Sequence, residues 1–159
     1  MHYRVQVGVH PLARTHPRVF RALVEPLIQH PRGWASHGHV FHLNGTNTHH
    51  PLITITLAPQ VALDVMFPDF SQERLSLCDM DTREIFLNEQ RWYREYDDDK
   101  SGLSLPAYRL YMVQHEIGHA LGLGHAKCGG PGENSPIMVQ QTKGTGACKP
   151  YPFVSTPRD

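Results

Sequence analysis

No run of apolar residues in this chain approaches the roughly 20 that a helix needs to cross a bilayer, so no membrane span is expected. An apolar secretion segment is missing too, because Met1-His2-Tyr3-Arg4-Val5 leads straight into strand-like sequence. Such a chain either does not leave the cell by that route or is a mature domain. Neither sign of charge is in excess: Lys+Arg and Asp+Glu are both 15, and no basic run or stripe exists to follow a phosphate backbone. Nucleic acid is therefore not an expected partner. Internal repeats are absent, as is any linker long enough to divide 159 residues, so a single domain over residues 1–159 is expected. A monomer is the expected state.

Cysteine and tryptophan are scarce. The three cysteines are Cys78, Cys128 and Cys148. Cys128 and Cys148 bracket a Gly- and Pro-rich stretch that a disulfide would close and hold. Sequence alone leaves the pairing open. The preferred reading is a Cys128–Cys148 bridge with Cys78 as a buried thiol, which inclines the chain towards an oxidising, extracellular or secreted setting. Trp34 and Trp92, with Tyr93, Tyr108 and Tyr111, read as packing residues rather than ligand contacts.

Histidine, by contrast, is plentiful at 12 residues, and three fall in one pattern. His115-Glu116-Ile117-Gly118-His119-Ala120-Leu121-Gly122-Leu123-Gly124-His125 reads HExxHxxGxxH, whose first five residues are the zinc-peptidase signature. On a helix His115 and His119 lie one turn apart on one face, so both rings can reach one ion. His125 would fall about 240° further round an unbroken helix, at ~100° per residue, and would point elsewhere. Gly122 resolves this, because glycine takes the left-handed conformation that ends a helix and redirects the chain. The spacing makes sense only if His115, His119 and His125 converge as ligands of one catalytic Zn2+.

Around the motif, Tyr3–Val9 alternates like a strand. Val19, Phe20, Leu23, Val24, Leu27 and Ile28 recur at helical spacing between Thr15, read as the cap, and Gln29, with Pro17 in the first turn and Pro26 as a kink. Residues 34–43, 52–57 and 83–88 read as strands, with a polar turn at Asn44–Asn47. The motif helix should start at Ser104, carry Leu110, Val113, Ile117 and Leu121 towards the core and stop at Gly122. Beyond Gly124 no regular element is evident. The fold class is α+β, in the order β-α-β-β-β followed by the motif helix and an irregular tail.

The motif, followed by Met138 in Ser135-Pro136-Ile137-Met138, resembles the metzincin clan of zinc endopeptidases, which carry a methionine turn beneath the metal. The wider segment is similar to a bacterial family of predicted secreted metzincin-like domains, through REIFLNEQRW, AYRLYMVQHEIGHALGLGH, the Cys128 region and SPIMVQQTKGTGACKP. The likeness covers roughly residues 52–152. It implies a two-lobed fold: a twisted mixed sheet with a backing helix and the active-site helix in residues 1–124, and a small irregular lobe in 125–159. It also implies that an edge strand pairs with an extended peptide or protein substrate. Glu84, Ile85, Phe86, Leu87 and Asn88 are the candidates for that edge. Gln140 stands where many metzincins have an assisting tyrosine, and Ala126 where several have a polar residue. Tyr151 is the candidate replacement for the tyrosine.

These readings converge on a zinc-dependent endopeptidase in which Glu116 is general base and then acid. Met138 packs beneath the metal without taking part in chemistry. Two other readings stand beside it. One is a non-hydrolytic, zinc-stabilised protein-binding domain, with Cys128 or a partner closing the fourth ligand position. The other is a second metal site among His37, His39, His42, His49 and His50, which more often would be ordinary loop and strand residues. Asp97, Asp99, Ser101 and Gly102 mimic the start of a Ca2+ loop, but Tyr108 replaces its final glutamate, and a solvated acidic loop is preferred. Asn44-Gly45-Thr46 matches a glycosylation acceptor, meaningful only in a eukaryotic secretory route.

Overall fold

Three strands send every second apolar residue to the same side of one sheet. In β1 (His2–Val9) Tyr3 and Val5 are buried, in β3 (Leu52–Ala58) Ile53, Ile55 and Leu57, and in β5 (Glu84–Asn88) Ile85 and Leu87. Parallel pairing sets them in rows, Val5 beside Ile53, Ile55 beside Ile85, and Leu57 beside Leu87. Such β-branched and leucine rows fit a pleated, covered face, and each full burial contributes about 1.5–3 kcal/mol. β2 (Val40–Leu43) adds in parallel to β1, and β4 (Leu77–Asp79) adds antiparallel to β5. The five-stranded mixed sheet has the order β2-β1-β3-β5-β4. The computed structural model describes residues 1–155; the end of the expected C-terminal lobe, 156–159, lies outside the described residues.

Two long helices form the second layer. α1 (Pro17–Ile28) buries Phe20, Val24 and Ile28 at four-residue intervals and leaves Val19 and Leu23 exposed. Two short helices, α2 (Gln60–Met66) and α3 (Glu89–Trp92), flank β5. α4 (Leu105–Ala120) starts at Ser104, whose hydroxyl accepts from the Ala107 N–H, with proline in its first turn. Eleven of its 16 residues are buried, too many for one apolar stripe, because α1, β4 and β5 all pack against it. The tail closes the remaining side: the Tyr111 hydroxyl donates to Val139 O and accepts from the Gln141 N–H. Among the described residues no helix is long and apolar enough to cross a membrane.

Several expectations are corrected. Glu84–Asn88 is not an edge strand: it is paired on both sides, and Leu77–Asp79 forms that edge. The edge escapes sequence reading because it is three residues long and is set by a turn in which the Asp79 carboxylate accepts from the Asp81 and Thr82 N–H groups. Residues 34–43 are not one strand; a single helical turn at Trp34–Ser36 precedes β2. Thr15 does not cap α1. The His16 ring nitrogen accepts from the Arg18 N–H instead, while Thr15 is buried and donates its hydroxyl to Glu89. α2 went unread because only Ala62 and Leu63 of its seven residues are buried, which leaves no clear periodicity.

One buried amide ties this framework to the motif. Gln114, fully buried on α4, donates to Leu27 O at 2.7 Å and accepts the Trp34 N–H at 3.0 Å, and the Trp34 indole donates to Gln114 O at 2.8 Å. Gly33 leaves room for it, since a Cβ there would sit 2.5 Å from the Gln114 amide nitrogen. Gln114→Leu therefore removes the acceptor of the part-buried Trp34 N–H and one of the donors to Leu27 O. The expected loss is about 2–4 kcal/mol, read from urea unfolding. An unchanged midpoint would mean that water replaces the amide without penalty.

Candidate metal centre

Backbone geometry at the end of α4 brings the three histidines together. Gly122 is left-handed at φ 97°. Its N–H bonds to His119 O at 2.9 Å, and the Leu123 N–H reaches back to Gly118 O at 3.0 Å. This is the Schellman closure that glycine permits, and it turns the chain so that His125 returns to the helix. The ligand nitrogens of His115, His119 and His125 lie within 4.8 Å of one another. His119 Nε2 and His125 Nε2 are 3.1 Å apart.

The tautomers follow from what the other ring nitrogens face. His115 Nδ1 lies 2.8 Å from Ile137 O and His119 Nδ1 lies 2.7 Å from Leu123 O. A carbonyl only accepts, so both Nδ1 atoms carry the hydrogen and both Nε2 atoms present a lone pair. Burial lowers His115 to about 3 and also lowers His119 and His125, so the rings are neutral. Imidazole nitrogens about 2.0–2.1 Å from one tetrahedral ion are about 3.3 Å apart, close to the 3.1 Å between His119 and His125 Nε2. The donor set therefore fits a metal ion such as zinc.

Glu116 lies beside them, buried, with Oε2 accepting no hydrogen bond. Burial alone pushes its carboxyl up to about 8. The residue lines an open cavity of about 450 Å³ together with the three histidines, Phe67 and Phe70 of the segment after α2, and the whole of β4. Gln140 also lines it, and its amide makes no hydrogen bond to any described residue. Tyr151 is elsewhere, accepting from Arg32 at 2.9 Å, so it is not the cleft tyrosine sought from sequence. Cys78, on β4, is a cavity residue that sequence reading took for an ordinary buried thiol.

The tail packs against the motif helix. Met138 is buried, with its sulfur against Gly118 of the motif, and its carbonyl accepts from the Ala126 N–H at 3.0 Å. Cys128 and Cys148 form a disulfide, with 5.7 Å between Cα atoms, so Cys128 is no metal ligand. The acidic loop holds its charges in ion pairs, Asp98 with Arg91 and Arg74 and Asp99 with Arg94, leaving Asp97 exposed. That is a charge-paired loop rather than a calcium cage.

Residues 1–154 match a family described as "Protein of unknown function (DUF3152)", and the chain belongs to that family. No curated protein and no solved structure matches it.

Two consequences are measurable. A methyl at Gly118 would overlap Met138 Sδ and come within 3.2 Å of Trp34 Cζ2. Gly118→Ala should cost about 1–3 kcal/mol in chemical unfolding and weaken metal retention; a neutral result would show that Met138 swings aside freely. Burial, then the nearby Glu116 and Asp79 charges, push Cys78 up from 9.0 to about 12. Since thiolate is the reactive form and appears only as pH rises towards that value, native Cys78 at pH 8 should alkylate roughly a thousandfold more slowly than a free thiol. Iodoacetamide labelling of native and guanidinium-unfolded chains tests this, equal rates counting against it.

Proposed function

We propose that the chain is a zinc-dependent endopeptidase with a metzincin-like two-lobed domain, residues 1–124 forming the N-terminal lobe and 125–159 the C-terminal one. The observation that carries this reading is Glu116, a buried carboxylate with an unpartnered oxygen beside three converging imidazoles in an open cleft. Leaving such a group without a donor costs folding free energy, which a purely structural metal site has no reason to bear. The rival reading, a zinc-stabilised binding domain, loses its internal fourth ligand because Cys128 is in the disulfide.

His115, His119 and His125 would hold the ion. Zinc, when bound there, supplies Lewis acidity towards water and the scissile carbonyl. Glu116 takes a proton from the attacking water and returns it to the leaving amine as the C–N bond breaks. Its raised carboxyl suits both roles, being basic enough to accept the proton and acidic enough to release it. Gln140, which lines the cleft at the sequence position of the tyrosine of many metzincins, would serve as a neutral donor to the developing oxyanion. The unpaired side of β4 lines the cleft and supports binding of an extended peptide by strand addition, with Leu77–Asp79 in the part expected of Glu84–Asn88. Phe67, Phe70, Leu75, Leu77 and Met80 give that cleft an apolar wall.

Casein digestion by wild type beside Glu116→Ala, with zinc assayed in both, tests the reading. Cleavage should fall at least about 10²-fold in the variant while zinc stays at about one per chain, and a chelator should abolish it in the wild type. Zinc retained by a wild type that cleaves neither casein nor a random peptide mixture would favour the binding domain.

A further inference from the structure

A second histidine cluster sits at the far edge of the sheet. His2 opens β1, His42 lies on β2, and His50 ends the loop that leads into β3. β2 and β4 are the two outer strands, so about four interstrand gaps, roughly 19 Å, separate this edge from the one that lines the cleft. Of the second metal site read from sequence among His37, His39, His42, His49 and His50, only His42 and His50 belong to this group, and His2, 40 residues before His42, is not among those candidates. Parallel pairing of β1 with β2, His2 opposite Val40 and Arg4 opposite His42, is what brings the first two side by side.

We propose that His2, His42 and His50 form a second site for a late first-row divalent ion, zinc being the probe of choice. One nitrogen from each ring lies within 4.8 Å of the others, and His2 Nδ1 is 2.8 Å from His42 Nε2. His50 Nδ1 is buried and has no hydrogen-bond partner. Among the described residues no carboxylate pairs with any of the three, so no acidic partner competes for them. The nearby guanidinium of Arg4 is committed through Nε to His50 O at 2.9 Å, which holds the loop against β1. Three imidazoles without a carboxylate are the donor set that late first-row metals prefer over calcium or magnesium.

The rings differ from those of the cleft in one respect that sets the strength of the site. Their centroids are 4.9–5.1 Å apart and their planes within 15–25° of parallel. In the cleft only His115 and His125 stack, at 25°, and His119 crosses them at 87° and 73°. Stacked rings must turn to aim three lone pairs at one ion, and His2 is exposed enough to do so. The His2–His42 hydrogen bond is given up in that turn, and each ring takes the tautomer that frees a nitrogen for the ion. The second site is accordingly weaker than the first. Occupied, it would staple the edge strand β2 and the 44–51 loop to β1.

Titration of the full chain with Zn2+ against a chromophoric chelator separates the two sites. Wild type should take up two equivalents, the second more weakly. A chain carrying both His42→Ala and His50→Ala should keep the tight equivalent and bind the second at least about tenfold more weakly, whereas His119→Ala should lose affinity only at the tight one. A second equivalent that survives in the His42→Ala, His50→Ala chain, or a single wild-type equivalent that this chain retains, overturns the proposal. The reading of the cleft fails separately, if the only zinc bound is the one that His42→Ala and His50→Ala remove.

Discussion

The orientation of two imidazole rings is the constraint on which the site depends. His115 and His119 each give their Nδ1 hydrogen to a backbone carbonyl, Ile137 O and Leu123 O, and only then do both Nε2 atoms face a common point. Neither carbonyl belongs to the helix that carries the rings. Leu123 is in place because Gly122 reverses the backbone, and Ile137 because the irregular tail folds back under α4. The tail also supplies Met138, whose sulfur occupies the space left by Gly118. Helix, turn and tail are thus one device, and none of them positions the ligands without the others.

Much of this was legible in the sequence because it is local. Ser104, Gly122 and the spacing of His115, His119 and His125 are decided by backbone chemistry within a turn or two. β1, β3 and β5 announce themselves by alternation and β-branching, as does α1 by its four-residue repeat. What failed to show depends on distant partners. β4 exists only because β5 offers it an edge, and the burial of α4 beyond its expected Leu110, Val113, Ile117 and Leu121 stripe comes from α1, β4 and β5 packing around it. The same holds for Gln114, which reads as a surface residue until Leu27 and Trp34 are folded against it. His2 and His42 meet through strand register, a property of the sheet rather than of either segment.

Gln114, His115 and Glu116 are consecutive and all buried, yet they are treated differently. Gln114 is satisfied by backbone partners on both ends of its amide, and His115 by one carbonyl. Glu116 keeps an oxygen with no donor at all. The contrast sets Glu116 apart from its neighbours, since the fold satisfies a buried polar group at that level of the helix for both of them.

The disulfide gives the tail a property that its irregular backbone would otherwise lack. Cys128 and Cys148, 20 residues apart, close a covalent ring that contains Ile137 and Met138. Closing such a ring removes about 3 kcal/mol of chain entropy from the unfolded state. The carbonyl that aims His115 is therefore held by a bond whose survival depends on the thiol balance of the surroundings. Reduction would thus lower the stability of the folded tail that presents the Ile137 carbonyl to His115, without touching a histidine.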